Sequence, residues 1–279
     1  MSVRGLAHIL GYAVMVVLAG HTAYYLVLHV REHQFLRQNV LAQIEGESDR
    51  DLLLGLLRLA WQLPPHKRSP DYGLKHPLMK ILRPSAANVY RNGGHCAKRS
   101  RLLTVLLRAR DIPARRAYLY NERGLELLNS PPRSWVHVVV EARIDGRWVV
   151  ADPLFNVAFT HSDGALATAE EIAADPEILR RGRLSADESF DRWEEDLYTY
   201  ETVARFPWFV VPGKRDWAYN SLRRILSHDS VNRFALPFLF EQPQLAIAVV
   251  SALLLVICGL LMRFIRTFGR RAGQSVSTE

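Results

Sequence analysis

Cys96, His137 and Asp152 are the residues of this sequence whose types and order could do chemistry. A cysteine nucleophile acts as the thiolate, because the thiol is weakly reactive. A histidine brought beside it forms a thiolate–imidazolium pair. A carboxylate on the far side of the ring fixes the tautomer and stabilises the charged form. Such a trio attacks carbonyl carbon and passes the acyl group on through a covalent intermediate. Taken singly, each residue has a plainer role. Cys96 alone is a small packed side chain, His137 a strand histidine with a satisfied hydrogen bond, and Asp152 a turn residue before Pro153. Their order, and the elements they fall on, favour catalysis over coincidence.

The elements that must position them are legible. Residues 96–110 carry Leu102, Leu103, Leu106 and Leu107 at helical spacing, and Asp111-Ile112-Pro113 ends the run. Cys96 therefore sits at a helix N-terminus, where the dipole and free N–H groups favour a thiolate and could also donate to an oxyanion. Gly93-Gly94 allows a sharp turn into that helix. Lys98, Arg99 and Arg101 are expected on a solvated helix face. Residues 114–120, 134–144 and 147–152 read as strands, the last two joined by the Asp145-Gly146 hairpin signal. With Asp145 and Gly146 in a two-residue turn, His137 falls opposite Leu154, two residues beyond Asp152. Side chains alternate along a strand, so His137 and Asp152 point to one face. Diagonal neighbours of this kind lie about 7–8 Å apart at the backbone, within reach of a side-chain hydrogen bond.

Gly94-His95-Cys96, then Asp111-Ile112-Pro113-Ala114-Arg115, Trp135-Val136-His137-Val138, Gly146-Arg147-Trp148 and Asp152-Pro153, resemble in order and spacing the core of the transglutaminase-like superfamily. The resemblance covers roughly the residues from the loop before Cys96 to just past Asp152. It implies an α+β, papain-like core, with the Cys96 helix packed on an antiparallel sheet. It implies Cys96 as nucleophile, His137 as general base and acid, and Asp152 as the orienting group. It also implies acyl transfer or hydrolysis at amides of a peptide, protein or amine substrate. Some members of the family have lost activity and serve as scaffolds. Members often add a side chain upstream of the cysteine to help hold the oxyanion, and Trp61, Tyr90 and Asn92 all remain open for that part. His95 and Trp135 are candidate substrate contacts. A channel lined by Trp135 and Trp148 would favour transfer to an amine, and an exposed site would favour hydrolysis.

Outside this core the chain is organised by two apolar runs. Leu6 to Val30 and Leu245 to Met262 contain no Asp, Glu, Lys or Arg, and about 20 apolar residues suffice for a helix to cross a bilayer. The first is longer than the apolar core of a cleaved signal peptide, so an anchor is expected. His21, with Gly20 and Thr22, is a polar spot within it, expected to be tolerated near one interface, with a helix–helix contact as the alternative. Arg263, Arg266, Arg270 and Arg271 follow the second run, and only Arg233 lies shortly before it. The positive-inside rule places that end in the cytoplasm. Two spans then put both termini there and the intervening domain outside. The expected organisation is an anchor over 1–31, a soluble domain over 32–242 with its core at about 80–160, a second transmembrane helix over 243–264 and a basic tail over 265–279. Within the soluble part, 34–62, Ala169–Ala174 and Ser189–Ala204 read as helical, and 63–92 as mainly loop with one short helix.

The formal charge is +8, with the basic residues scattered except at the C-terminal tail. No zinc spacing, helix-turn-helix signal or aromatic–basic stripe accompanies it, so nucleic acid is not an expected partner. Cys258 lies inside the second apolar run, so it is not expected to pair with Cys96, and two cysteines make no disulfide framework. A metal site on Cys96, His95 and His137 lacks a fourth ligand, and no cofactor is expected. The lipid bilayer is the expected partner of the two apolar helices. The alternative to an enzyme is a non-catalytic scaffold or binding module of the same fold within a membrane assembly for envelope or exported-polymer work.

Overall fold

The computed structural model describes residues 3–64, 84–120, 136–186, 200, 203–205, 225 and 238–274. Trp135, most of Ser189–Ala204 and the Phe206–Phe209 segment lie outside the described residues. The described helices are α1 (Val3–Asn39), α2 (Asp49–Trp61), α3 (Ala86–Asn92), α4 (Cys96–Arg108), α5 (Ala169–Ala174), α6 (Pro176–Leu184) and α7 (Pro243–Gln274). The strands are β1 (Ala114–Tyr120), β2 (Val136–Ile144), β3 (Arg147–Asp152), β4 (Val157–Ala158) and β5 (Val203–Ala204). The chain divides into two units, one built from Gln34–Glu241 and one from Met1–His33 with Gln242–Glu279.

In the first unit the strands form one antiparallel sheet in the order β4-β3-β2-β1-β5. The β2–β3 hairpin turns on Asp145 and Gly146, both with positive φ, as a two-residue primed turn requires. Its register pairs Ile144 with Arg147 and Val140 with Ala151, the one that the turn residues predict. Alternation along the strands then splits the core. Val140, Ala142, Ile144, Val149 and Ala151 face a cluster completed by the leucines of α2 and α4. Ala117, Leu119, Val139 and Val150 face a second cluster with Phe155, Phe159 and Ile172. The helical stripe of α4 fills the first: Leu102, Leu103, Leu106 and Leu107 are all buried. Ser48, Ser85 and Thr168 cap α2, α3 and α5 by accepting from the backbone N–H three residues on.

Several expectations change here. The helical stretch over 34–62 is broken: α1 ends at Asn39, a 3₁₀ turn covers Leu41–Gln43, and α2 starts only after the Ser48 cap. Val203–Ala204, expected at the end of a helix, forms strand β5 on Leu119 and Tyr118, because the β1 edge otherwise leaves backbone groups unpaired. Arg99 and Arg101, expected in solvent, are buried. Each has partners that make burial tolerable. Arg101 shares Glu241 with Arg116, at 3.1 and 2.7 Å. Arg99 donates to three main-chain carbonyls.

The segments His8–Gln43, which begins in α1 and runs past its end, and Pro243–Thr267, within α7, are long and apolar enough to cross a membrane. Their outward side chains are apolar, among them Val16, Val17, Leu253 and Leu260. Of the two readings of His21, the structure shows the helix contact: its Nδ1 lies 2.8 Å from Ser251 Oγ, a polar contact of the kind that joins helices in lipid.

Candidate active site

The site is built at Val138 of β2. The β2–β3 ladder stops at Val140 and Ala151, and beyond that point the first turn of α4 docks on the β2 edge. Ser100 Oγ donates to the Val138 carbonyl at 2.7 Å. The Val138 backbone also favours the Cys96 thiolate. Cys96 and Ser100, spaced four residues apart, thus approach the same strand residue from one helix face. This docking brings Cys96 to His137, the next residue along the strand.

Gly93 and Gly94 shape the approach to the helix. Gly93 has φ 72°, and a Cβ there would lie 2.0 Å from the Pro64 carbonyl oxygen. Cys96 is the first residue of α4 and is half-buried. Arg99, one turn on, clamps the surroundings. Its Nε donates to the Gly94 carbonyl at 2.9 Å, and its two terminal nitrogens reach the Leu63 carbonyl at 2.7 Å and the Leu154 carbonyl at 3.4 Å. One guanidinium therefore ties the turn before Cys96 to the end of α2 and to the loop after Asp152.

His137 and Asp152 are buried on a common face, and His137 Nε2–H donates to Asp152 Oδ2 at 2.6 Å. The other carboxylate oxygen accepts from the Leu154 N–H at 2.9 Å. Phe155 packs on the imidazole, with ring centroids 5.8 Å apart. The Cys96 thiol lies beside the imidazole, and the two groups shift each other's ionisation. The electrostatics follow. Burial alone would push the Cys96 thiol up, but the hydrogen bond and charge of His137, with the Val138 backbone, outweigh it and leave the thiol below its usual value. Burial alone would pull the imidazole down, but the Asp152 charge and hydrogen bond, joined by Cys96, raise His137 to about 10. The two groups titrate as a coupled pair. Their directions define a pH window in which thiolate and imidazolium coexist.

The other candidates are not all brought to this point. Tyr90 packs edge-on against Phe35, at 6.0 Å between centroids. Asn92 is exposed, and its side-chain amide donates to the Asn88 carbonyl and side-chain oxygen within α3. His95 holds the N-cap position of α4 without capping it through its side chain. Its pKa is lowered by burial and by the charges of Lys98 and Arg99. Trp61 ends α2 half-buried, and its buried indole N–H has no hydrogen-bond partner among the described residues. Trp148 lies under the Arg115 guanidinium, 4.0 Å from its ring centre. Ser100 was not singled out from the sequence, and Arg99 was read as solvated, although it sits four residues before Leu103, on the apolar stripe, where a charge needs a buried partner. No cluster of three or more His, Cys, Asp or Glu residues suited to a metal ion occurs among the described residues.

No curated protein and no solved structure gives a match. Residues 69–153 match the family model described as the transglutaminase-like superfamily. That segment holds the α3–α4 turn, strands β1 to β3 and the residues Cys96, His137 and Asp152, and over it the protein carries a transglutaminase-like superfamily domain.

Proposed function

We propose that the protein is a membrane-anchored cysteine enzyme that cleaves or transfers acyl groups at amide bonds. The carrying observation is the buried His137–Asp152 hydrogen bond beside Cys96, with the thiol lowered and the imidazole raised by one another. In this reading the Cys96 thiolate attacks the amide carbonyl carbon. The negative charge moves to the carbonyl oxygen, toward the N-terminal turn of α4, whose backbone N–H groups and dipole favour it. Trp61, whose indole N–H has no partner among the described residues, is the side chain we assign to assist. His137 gives its proton to the departing amine as the C–N bond breaks, leaving a thioester on Cys96. Water or an incoming amine then attacks the thioester. His137 takes the proton of that attacking group, and the thiolate is released. Asp152 keeps the imidazole oriented through both half-reactions.

Arg115 stacked on one face of the half-buried Trp148 takes that face from an amine channel, which favours water as the acceptor. The apolar runs and the arginines after Met262 support a domain facing away from the cytoplasm, acting on peptides or proteins of the cell envelope.

Incubation of the purified protein with p-nitrophenyl acetate tests the reaction class. The reading expects a burst of p-nitrophenol, an acetyl group on Cys96 by intact-mass and peptide mass spectrometry, and neither in Cys96→Ala. Turnover accelerated by a primary amine would assign transfer, and turnover insensitive to amines would assign hydrolysis. Absence of any acyl adduct on Cys96 would overturn the enzyme reading.

A further inference from the structure

About two helical turns along α4 from Cys96, roughly 12 Å at the usual rise, a small cavity is lined by Thr104 and Arg108 of α4, Arg115 and Arg116 of β1, Arg205 and Glu241. It has room for about one water-sized sphere. The groups around it are unevenly charged. Arg115 and Arg205 share the buried Glu141, at 2.6 and 2.7 Å, and Arg205 also meets Glu170 at 3.3 Å. Arg116 and Arg101 share Glu241. Arg108 has its Nε on the Ala114 carbonyl and its guanidinium over Phe238, with no carboxylate at ion-pair distance among the described residues. Among the described residues, five guanidinium groups thus gather around three carboxylates, an excess of two positive charges, and Glu170 is largely in solvent. The crowding shows in Arg101, which burial and then Arg116 push down to about 10.

A second observation points into the same space. Thr104 is fully buried, and its hydroxyl, on the cavity wall, has no hydrogen-bond partner among the described residues. Buried hydroxyls are nearly always satisfied, by protein or by a bound species. We propose that the cavity binds a single halide-sized inorganic anion, chloride in the cell, held by the Thr104 hydroxyl and the surrounding guanidinium groups. A water would satisfy the hydroxyl but leave the excess charge in place. A phosphate or sulfate exceeds the space. The proposal does not depend on whether Cys96 is catalytic.

An anion that binds only the folded state raises the unfolding midpoint by mass action. The test is thermal unfolding of the full-length protein in a non-ionic detergent, at one ionic strength set with sodium chloride, bromide or gluconate. The expected result is a saturable rise of about 5 °C in chloride and bromide over gluconate. Thr104→Val removes the hydroxyl and keeps the shape, and should abolish the difference. Arg108→Gln, at an exposed position that tolerates substitution, should reduce it if Thr104→Val does not fold. Equal midpoints in chloride and gluconate, as for a water-filled cavity, would overturn the proposal. So would a chloride response that survives both substitutions.

Discussion

Replacing Arg99 with methionine separates a structural clamp from a surface charge. The guanidinium makes two short hydrogen bonds, to Gly94 at 2.9 Å and Leu63 at 2.7 Å, and a longer one to Leu154 at 3.4 Å. Hydrogen bonds to a charged group contribute about 1.5–3 kcal/mol each, so the two short ones set an upper range of about 3–6 kcal/mol. Methionine recovers part of the packing and removes a charge that was costly to bury. A net loss of about 3 kcal/mol remains. For a domain of this size that lowers the unfolding midpoint by about 6–12 °C. The loop that follows Asp152 and the turn before Cys96 lose their common tie, so Cys96 alkylation at neutral pH should slow as well. Arg99→Lys should fall between, because one ammonium cannot reach three carbonyls in the fork geometry of arginine. Thermal unfolding followed by near-ultraviolet circular dichroism gives the midpoint, and labelling kinetics give the second readout. A midpoint within 2 °C of the parent, with labelling unchanged, would refute the clamp.

Glu241→Gln takes from Arg101 and Arg116 the carboxylate they share in a buried setting, and denaturant titration should show a loss of about 3–5 kcal/mol. Gly93→Ala demands both a positive φ and movement of the Pro64 carbonyl, so a destabilisation of at least about 2 kcal/mol is expected in the same assay. The folded-state pKa of His137 is raised from 6.5 to about 10. Its proton-linked contribution to stability is therefore complete below pH 6.5 and is lost as pH rises toward 10. The unfolding midpoint of His137→Gln, compared with the parent at pH 7 and pH 10, should fall less between the two, and an equal fall would count against the raised imidazole.

The sequence made the hairpin and the apolar stripe legible because each rests on a strict period. Asp145-Gly146 sets the β2–β3 register, and that register alone puts His137 and Asp152 on one face. Leu102–Leu107 sets the inner side of α4. The same stripe held information that a charge count concealed. Arg99 lies on it, and its burial depends on carbonyls at Leu63 and Leu154, distant in sequence and invisible to helical spacing. Arg101 is matched by Glu241, 140 residues away. Strand β5 is two residues long, too short for alternation to betray it, and exists because β1 offers an open edge. The docking of Ser100 and Cys96 on Val138 is likewise a tertiary event. Helix-N-terminus logic placed the cysteine, but nothing local showed that a strand edge would receive it.

The central claim is that Cys96 is a thiolate held by His137. The most direct measurement is the pH dependence of Cys96 alkylation by iodoacetamide, in the full-length protein carrying Cys258→Ser, beside the same protein with His137→Ala. The account predicts rapid labelling well below the ordinary thiol pKa of about 8.5, lost in the His137 variant. Labelling that rises only as an ordinary thiol ionises, and is the same with and without His137, would contradict it.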